Sequence, residues 1–246
     1  MAKKKTAKPS VEPKEPLFDF NNYHFEIDNP IELTKKQKEI ARVAQRADTK
    51  MIILDGLPGC SKTYMATLIA LEKLRDKKVS GITAFRSTIQ NSQGATGYLS
   101  GDLVEKMHYF SAPFYHKMEE LLKKDDKDII SKKLFDFLPT SFVRSISLRD
   151  ECIILSEAQN CGRSVLIDVA TRAGEGSFVI IEGDSILQQD LGKASGFKRF
   201  YEMFDDQESK SHGIYCFKFG VEDIVRSGLV QFIVEKELGL RDKKEK

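Results

Sequence analysis

One short stretch of the chain combines residues that could bind phosphate. It reads Gly56-Leu57-Pro58-Gly59-Cys60-Ser61-Lys62-Thr63 and departs from the P-loop pattern G-x4-G-K-[ST] only by Ser61 at the second glycine. The sequence predicts an apolar strand before it, residues 51–54, and a helix after it, residues 63–74. Because N–H groups at the start of a helix attract anions, we predict a nucleotide-phosphate site here.

Each residue type in this stretch suggests a role. Lys62 would reach the β- and γ-phosphate oxygens, and the Thr63 hydroxyl would hold Mg²⁺. The alternative is a glycine-rich turn between strand and helix that carries an incidental lysine. The predicted nucleotide-binding residues of this stretch are Gly56, Pro58, Gly59, Cys60, Ser61, Lys62, Thr63 and Tyr64.

A second candidate site lies at the end of another apolar run, Ile153-Ile154-Leu155-Ser156-Glu157. NTPases place a metal-binding aspartate and a water-orienting carboxylate at such a strand end. Here Ser156 stands in the usual position of the aspartate, and Glu157 follows it as the candidate catalytic carboxylate and a metal ligand. A neutral hydroxyl brings no charge to a metal site, so we expect weak metal affinity and slow turnover. The alternative is a strand that ends in a polar turn.

Apolar strands alternate with helical patterns along the chain. This alternation predicts an α/β fold, with a mainly parallel sheet covered by helices on both faces. The charged stretch 123–136 is predicted to be an exposed insertion. The predicted strands are 51–54, 82–85, 151–155, 178–181 and 214–217, and the predicted helices are 35–47, 63–74, 164–173 and 222–237.

Composition restricts the possible partners and the organisation of the chain. The 246 residues carry a net charge of only +2, and both ends are basic, so the chain is no broadly basic nucleic-acid binder. We expect a disordered basic tail over residues 1–16, one domain over 17–240 and a charged tail over 241–246. No apolar run approaches the ~18 residues of a membrane span, and the four cysteines lack metal-site spacing. A cytoplasmic protein without membrane contact is expected.

Further motifs accompany the two candidate sites, and together they resemble the PhoH-like family of P-loop ATPases, which is related to superfamily 1 helicases. They appear in the order of the family from about residue 34 to 236. Besides the P-loop and Leu155-Ser156-Glu157-Ala158-Gln159-Asn160, they are Phe85-Arg86-Ser87, Gly97-Tyr98-Leu99-Ser100-Gly101-Asp102-Leu103, Ala170-Thr171-Arg172-Ala173-Gly174, Gly183-Asp184, Gln188-Gln189-Asp190-Leu191, Ser195-Gly196-Phe197 and Ile224-Val225-Arg226-Ser227.

The resemblance assigns roles to five further residues. Gln37 would read adenine, Gln188 would sense the γ-phosphate, and Asp184 would serve the metal. Arg172 would bind the nucleotide, and Arg226, placed on the last helix, would act across a subunit boundary. For Gln37 and Gln188 the alternative is a solvated glutamine. For Arg172 it is interaction with a helix C-terminus, and for Arg226 it is an ion pair with Glu222.

The resemblance also implies an activity and partners. A RecA-like domain would bind ATP with Mg²⁺ and transfer the γ-phosphoryl group to water. It would assemble into a ring, a hexamer, and bind or unwind RNA or single-stranded DNA. Ser61 and Ser156 leave open a nucleotide-gated binding or regulatory protein that hydrolyses little ATP. A nucleotide kinase shares the P-loop, but the sequence shows no arginine-rich lid.

Overall fold

Six parallel strands form the single sheet of the described chain, in the order β3-β2-β4-β5-β1-β6. A computed structural model describes residues 19–87, 103–187, 191 and 194–244. The strands are β1 (Met51–Gly56), β2 (Gly81–Arg86), β3 (Phe135–Pro139), β4 (Glu151–Ser156), β5 (Phe178–Gly183) and β6 (Ile214–Phe219). The helices are α1 (Lys35–Ala44), α2 (Lys62–Arg75), α3 (Leu103–Leu121), α4 (Lys124–Lys133), α5 (Arg163–Arg172), α6 (Phe197–Phe204), α7 (Gln207–Ser211) and α8 (Gly228–Lys244).

Both faces of the central strands are buried, because helices pack on each side. In β1, Ile52 and Leu54 join a core with α1, α2 and α3. The alternate residues Met51 and Ile53 join a second core with α5 and α6. Side chains of a strand alternate between faces, so a strand between two helical layers must be apolar throughout. The predicted RecA-like α/β fold with helices on both faces is confirmed.

The helix α1 begins at Lys35, where the sequence predicts its start. Thr34 accepts the amide of Gln37 at its side chain, and Gln37 Oε1 accepts the Thr34 amide at 3.0 Å. This reciprocal capping box satisfies two N–H groups that the first helical turn leaves unpaired. It also buries the Gln37 side chain at the helix end, so the alternative of a solvated glutamine is wrong.

The prediction of an exposed insertion over residues 123–136 is wrong. The stretch forms α4 and the beginning of β3, which pairs with β2 and is an edge strand of the sheet. Ile130, Leu134 and Phe135 are buried in the core. The many charged residues occupy the outer face of one short helix, and the few apolar ones were enough to anchor both elements.

The last helix begins later than predicted, at Gly228 rather than Glu222. Residues Val221–Asp223 form a separate 3₁₀ turn, and Ile224 is extended after it. The amide of Val225 donates to the carbonyl of Gly59 at 3.1 Å. This bond holds the segment against the P-loop, so the helix cannot start until the chain has left it.

The predicted tail over residues 1–16 lies outside the described residues. The predicted tail over residues 241–246 overlaps the end of α8, which extends to Lys244. In the part of the chain that the structure describes, no helix has both the length and the apolar character needed to cross a bilayer.

Candidate functional site

The P-loop connects the carboxyl end of β1 to the amino end of α2. Gly59 has a φ of 89° and Ser61 a φ of 58°, both in the left-handed region. Glycine adopts that region without strain, whereas a residue with a Cβ does not. Ser61 therefore completes the turn at a conformational cost, and the turn itself has the strand–loop–helix form that the motif predicts.

Lys62 lies in the first turn of α2, and its side chain folds back over the loop. Its Nζ donates to the carbonyl oxygens of Gly56 at 2.7 Å and Leu57 at 3.1 Å. A lysine held at the N-terminus of a helix is placed to neutralise phosphate charge. The loop thiol has no such role, since burial raises the pKa of Cys60 to about 11 and keeps it protonated.

A buried carboxylate that the sequence analysis did not single out lies beneath the loop. Glu182 is the fifth residue of β5 and is 2% exposed. Its Oε1 accepts hydrogen bonds from the Thr63 hydroxyl and from the Ser156 hydroxyl, each at 2.8 Å. Burial raises the pKa of Glu182, while Lys62 and the two hydroxyl groups lower it. Three elements, α2, β4 and β5, thus converge on one oxygen atom.

Glu157 follows β4 in a left-handed conformation, with a φ of 54°. Gln159 Nε2 donates to its Oε2 at 2.5 Å, and Arg86 Nη2 lies 3.9 Å from its Oε1. The Oε1 atom of the same Gln159 accepts the amide of Asp184 at 3.0 Å. One buried glutamine, quoted in the motif but given no role, therefore joins the end of β4 to the end of β5 and fixes the direction of the Glu157 carboxylate.

Asp184 shapes the turn that follows β5, and the metal role predicted for it stays a prediction. Its Oδ1 accepts the backbone amides of Ile186 and Leu187, both at 2.8 Å. These bonds shape the turn that follows β5. The residue is 1% exposed and is not among those that line the cavity at the P-loop.

A cavity of about 780 Å³ opens over the P-loop. Its walls come from the loop before α1, the P-loop, α3, the ends of β4 and β5, and the segment before α8. The residues that line it are Pro30, Ile31, Glu32, Gln37, Pro58, Gly59, Ser61, Lys62, Thr63, Tyr64, Pro113, Lys117, Glu120, Glu157, Gln159, Glu182, Gly183, Val225 and Arg226.

Gln37 and Tyr64 lie on the wall formed by α1 and α2. Because Gln37 Oε1 is used by the helix cap, its Nε2 amide is the group with which it would contact a base. Tyr64 is buried, and its hydroxyl donates to Asn29 Oδ1 at 2.6 Å. That bond secures the loop carrying Pro30 and Ile31, whose apolar surface suits one face of a purine.

Arg226 lines the cavity of its own chain, on the extended segment before α8 rather than on the helix. A Cβ added at Gly59 would lie 3.3 Å from Arg226 Cβ, so the two backbones are in close contact. The alternative of an ion pair with Glu222 is also wrong, because Glu222 faces Lys36 at 3.9 Å. Arg226 thus lies beside the P-loop of its own chain, and its action across a subunit boundary stays a prediction.

The structure does not bring every predicted residue to the cavity. Arg172 ends α5, next to Ala173, which pairs with Leu148 ahead of β4. A helix that starts beside the carboxyl ends of the strands finishes at their amino ends, so Arg172 is at the opposite edge of the sheet. Ser156, Gly56 and Cys60 support the site from behind its lining, and Gln188 lies outside the described residues.

The donor atoms at the base of the cavity fit a magnesium ion held together with a nucleotide. Hydroxyl and carboxylate oxygens are the ligands that Mg²⁺ prefers, and it is bound by one or two of them plus substrate phosphates. Among the described residues, no group of three or more His, Cys, Asp or Glu is placed to hold a metal by itself. The site therefore suits an ion that arrives with phosphates.

Comparison with known proteins agrees with this geometry. The family model described as "PhoH-like protein" matches residues 31–236. The chain is 30% identical over 203 residues to the PhoH-like protein of Bacillus subtilis (strain 168), a match covering 82% of this chain and 62% of that protein. It is 29% identical over 205 residues to a PhoH-like protein of Synechocystis sp., covering 82% and 60%.

Protein PhoH of Escherichia coli (strain K12) is 29% identical over 204 residues, covering 81% of this chain and 56% of the relative. The chain thus spans between 56% and 62% of the length of these three curated relatives. The matched region includes the P-loop, the end of β4 and the segment before α8, which meet at one cavity. The chain belongs to the PhoH-like family of P-loop NTPases.

Proposed function

We propose that this protein binds ATP with Mg²⁺ and hydrolyses it. The observation that carries the proposal is the convergence of Lys62, Thr63 and Glu157 on one cavity at the amino end of α2. Bound Mg²⁺ would supply charge neutralisation at the phosphates. Lys62 adds a second positive charge there, and the Thr63 hydroxyl would hold the ion.

The remaining residues of the cavity would act on the water and on the developing charge. Glu157, held by Gln159, would orient the attacking water. Arg226 would stabilise negative charge on the transferring phosphoryl group from within the same chain, rather than from a neighbour as the sequence analysis expected. Gln37 Nε2 would contact the adenine edge while Pro30 and Ile31 cover its face.

The test is phosphate release measured with ATP and Mg²⁺, with RNA, with single-stranded DNA and with neither. We expect Mg²⁺-dependent turnover, and a loss of at least about 100-fold in Glu157→Gln. The variant should bind ATP as tightly as the unaltered protein, because the carboxylate acts on water. Turnover equal in the two proteins would contradict the role of Glu157.

The coupling to nucleic acid and the ring assembly belong to the same proposal. The resemblance to the PhoH-like family implies RNA or single-stranded DNA as the partner, so we propose this partner and expect it to accelerate turnover. Assembly is favoured by an apolar surface on and just before α8. Its members are Val225, Leu229, Phe232 and Ile233, with 48%, 68%, 55% and 56% of their surface exposed.

Exposed apolar clusters of this kind mark protein contacts, and a hexameric ring would bury this one between subunits. Light scattering after gel filtration, with and without ATP, measures the assembly. We expect Phe232→Glu to shift the protein to monomers. A monomer at all concentrations in the unaltered protein would contradict the ring.

A nucleotide-gated binding protein with little hydrolysis is the second candidate. The observation that favours it is the hydroxyl of Ser156 where the family has a carboxylate. In that case ATP would change the affinity for RNA while phosphate release stays at the level of Glu157→Gln. The same turnover measurement, combined with RNA binding in the presence and absence of ATP, separates the two functions.

A further inference from the structure

We propose that Glu182 supplies the carboxylate at the site of the nucleotide-bound magnesium ion, in place of the carboxylate that the family carries at position 156. The inference rests on the proposed function, because it concerns the metal that would accompany ATP. Glu182 would be a positioning residue, and it lies on β5, whereas position 156 lies on β4.

The sheet topology makes such a replacement possible. β5 lies between β4 and β1, and it is hydrogen-bonded to both. Leu155 pairs with Ile181, so Ser156 and Glu182 come next to each other at the ends of their strands. Glu182 itself pairs with Leu54 of β1, two residues before the P-loop begins. A carboxylate on β5 can therefore reach the place that a carboxylate on β4 would otherwise occupy.

The hydrogen bonds place the Glu182 carboxylate at the metal-binding hydroxyl. Its Oε1 accepts the hydroxyl of Thr63, the P-loop residue expected to bind the ion, and the hydroxyl of Ser156, each at 2.8 Å. Both of these bonds end on Oε1, and the side chain lines the cavity. Ser156 is thus a donor that orients Glu182, and the serine and the glutamate together replace one aspartate.

Two further acidic residues, at the ends of β4 and β5, make other contacts. Asp184 Oδ1 accepts two backbone amides in the turn after β5. Glu157 is bound by Gln159 and faces Arg86, as suits a group that orients water. Glu182, by contrast, accepts the hydrogen bond of the Thr63 hydroxyl.

The test compares ATP affinity in excess Mg²⁺ with ATP affinity in EDTA, by calorimetry. We expect Mg²⁺ to strengthen ATP binding by at least tenfold in the unaltered protein. In Glu182→Gln this gain should fall below about threefold, while the affinity in EDTA stays equal or rises. Moving the carboxylate back to β4, in the double variant Glu182→Gln with Ser156→Asp, should restore the gain.

The matched control is Glu151→Gln, which removes a half-buried carboxylate at the amino ends of the strands of the same sheet and should keep the full gain. Ser156→Asp alone provides a second measurement that does not depend on the folding of Glu182→Gln. With Glu182 present, the added carboxylate should leave the gain within about threefold of the unaltered protein.

The outcomes are distinguishable. No ATP binding in either condition contradicts the proposed function itself. ATP binding with an undiminished Mg²⁺ gain in folded Glu182→Gln overturns the role of Glu182 and leaves the proposed function standing. A tenfold larger gain in Ser156→Asp alone overturns it as well, because the metal would then have lacked a carboxylate.

Discussion

Glu182, which is buried, and Glu151, which is half-buried, lie at opposite ends of the strands of the same sheet, and Glu182 lines the cavity at the P-loop. Glu182 is near the carboxyl end of β5, next to Lys62 and two hydroxyl groups. Glu151 is the first residue of β4, where its carboxylate accepts the Thr83 hydroxyl at 3.2 Å and packs over Gly81. Burial raises the pKa of both.

The two glutamates differ in the groups that surround them at the two ends of the strands. At the carboxyl ends of the strands, the P-loop and α2 bring Lys62 and the Thr63 hydroxyl to the glutamate, and the loop before α1 and the segment before α8 form further walls of the cavity. At the amino edge, Glu151 has two further acidic neighbours, Asp136 and Asp150, which also raise its pKa. A buried carboxylate therefore indicates a site only where cationic and donor groups converge on it.

The largest expected effect is on ATP affinity, and it distinguishes two lysines of α2. Lys62→Ala removes charged hydrogen bonds to phosphate, each contributing about 1.5–3 kcal/mol, so ATP affinity should fall by roughly 10–100-fold. The control is Lys73→Met, at the far end of the helix, where Nζ donates to the carbonyl of Ala44 at 2.7 Å. That variant should lose stability and keep its ATP affinity. Calorimetry on both folded proteins decides, and equal affinities would contradict the P-loop assignment.

The next effect concerns Arg226 and its position at the rim of its own cavity. Arg226→Ala should lower kcat by about 100-fold or more and change ATP affinity much less, because the charge it stabilises develops only during transfer. Arg46→Ala, an exposed arginine at the amino edge paired with Asp48, should leave kcat unchanged.

Mixing Arg226→Ala chains with Glu157→Gln chains tests which subunit the arginine serves. If it serves its own chain, the turnover of the mixture is the average of the two parents. Recovery well above that average would show that the arginine acts across a subunit boundary.

A smaller effect appears in the pH dependence of stability. The pKa of Glu151 is raised from 4.5 to about 7 by burial, so the folded protein keeps a proton there that the unfolded chain releases. This contribution is complete below pH 4.5 and is lost as the pH rises to 7. Since the carboxyl is partly exposed, we expect about 1–2 kcal/mol rather than the full shift.

Glu151→Gln should therefore flatten the profile of unfolding free energy between pH 4.5 and 7, measured with urea. Glu39→Gln, an exposed carboxyl on α1, is the control and should leave the profile as it is. An unchanged profile in Glu151→Gln would show that the carboxyl is hydrated in the folded protein.

The smallest effect is at Ser61, which has a left-handed conformation. Ser61→Gly should raise the free energy of unfolding by about 1 kcal/mol, because the strain of a Cβ at that φ disappears. Ser61→Ala keeps the Cβ and should give no increase. Urea unfolding of the three proteins measures this, and a loss of stability in Ser61→Gly would mean that the serine makes a compensating contact.

The sequence predicted the elements whose signal is local. The P-loop turn, the start of α1 at Lys35 and the buried run of β1 each depend on neighbouring residues, and each was found where it was expected. The edge strand β3 was missed because the stretch 123–136 is mostly charged, and the three buried residues Ile130, Leu134 and Phe135 do not form an apolar pattern in the sequence. Glu182 was missed because its role depends on strand order: only when β5 lies between β4 and β1 does it reach Thr63.

The hydrogen bond from the Val225 amide to the Gly59 carbonyl connects the segment that leads into α8 directly to the P-loop. Ile224 and Val230 would each come within 3.2 Å of a Cβ at Gly59, so the loop has no slack against the segment that leads into the helix. Thermodynamic reciprocity then applies to the pair. If phosphate binding shifts α8, a neighbouring molecule that holds α8 in the shifted position strengthens phosphate binding by the same coupling free energy. The outer surface of that helix is thereby a second control point for the nucleotide.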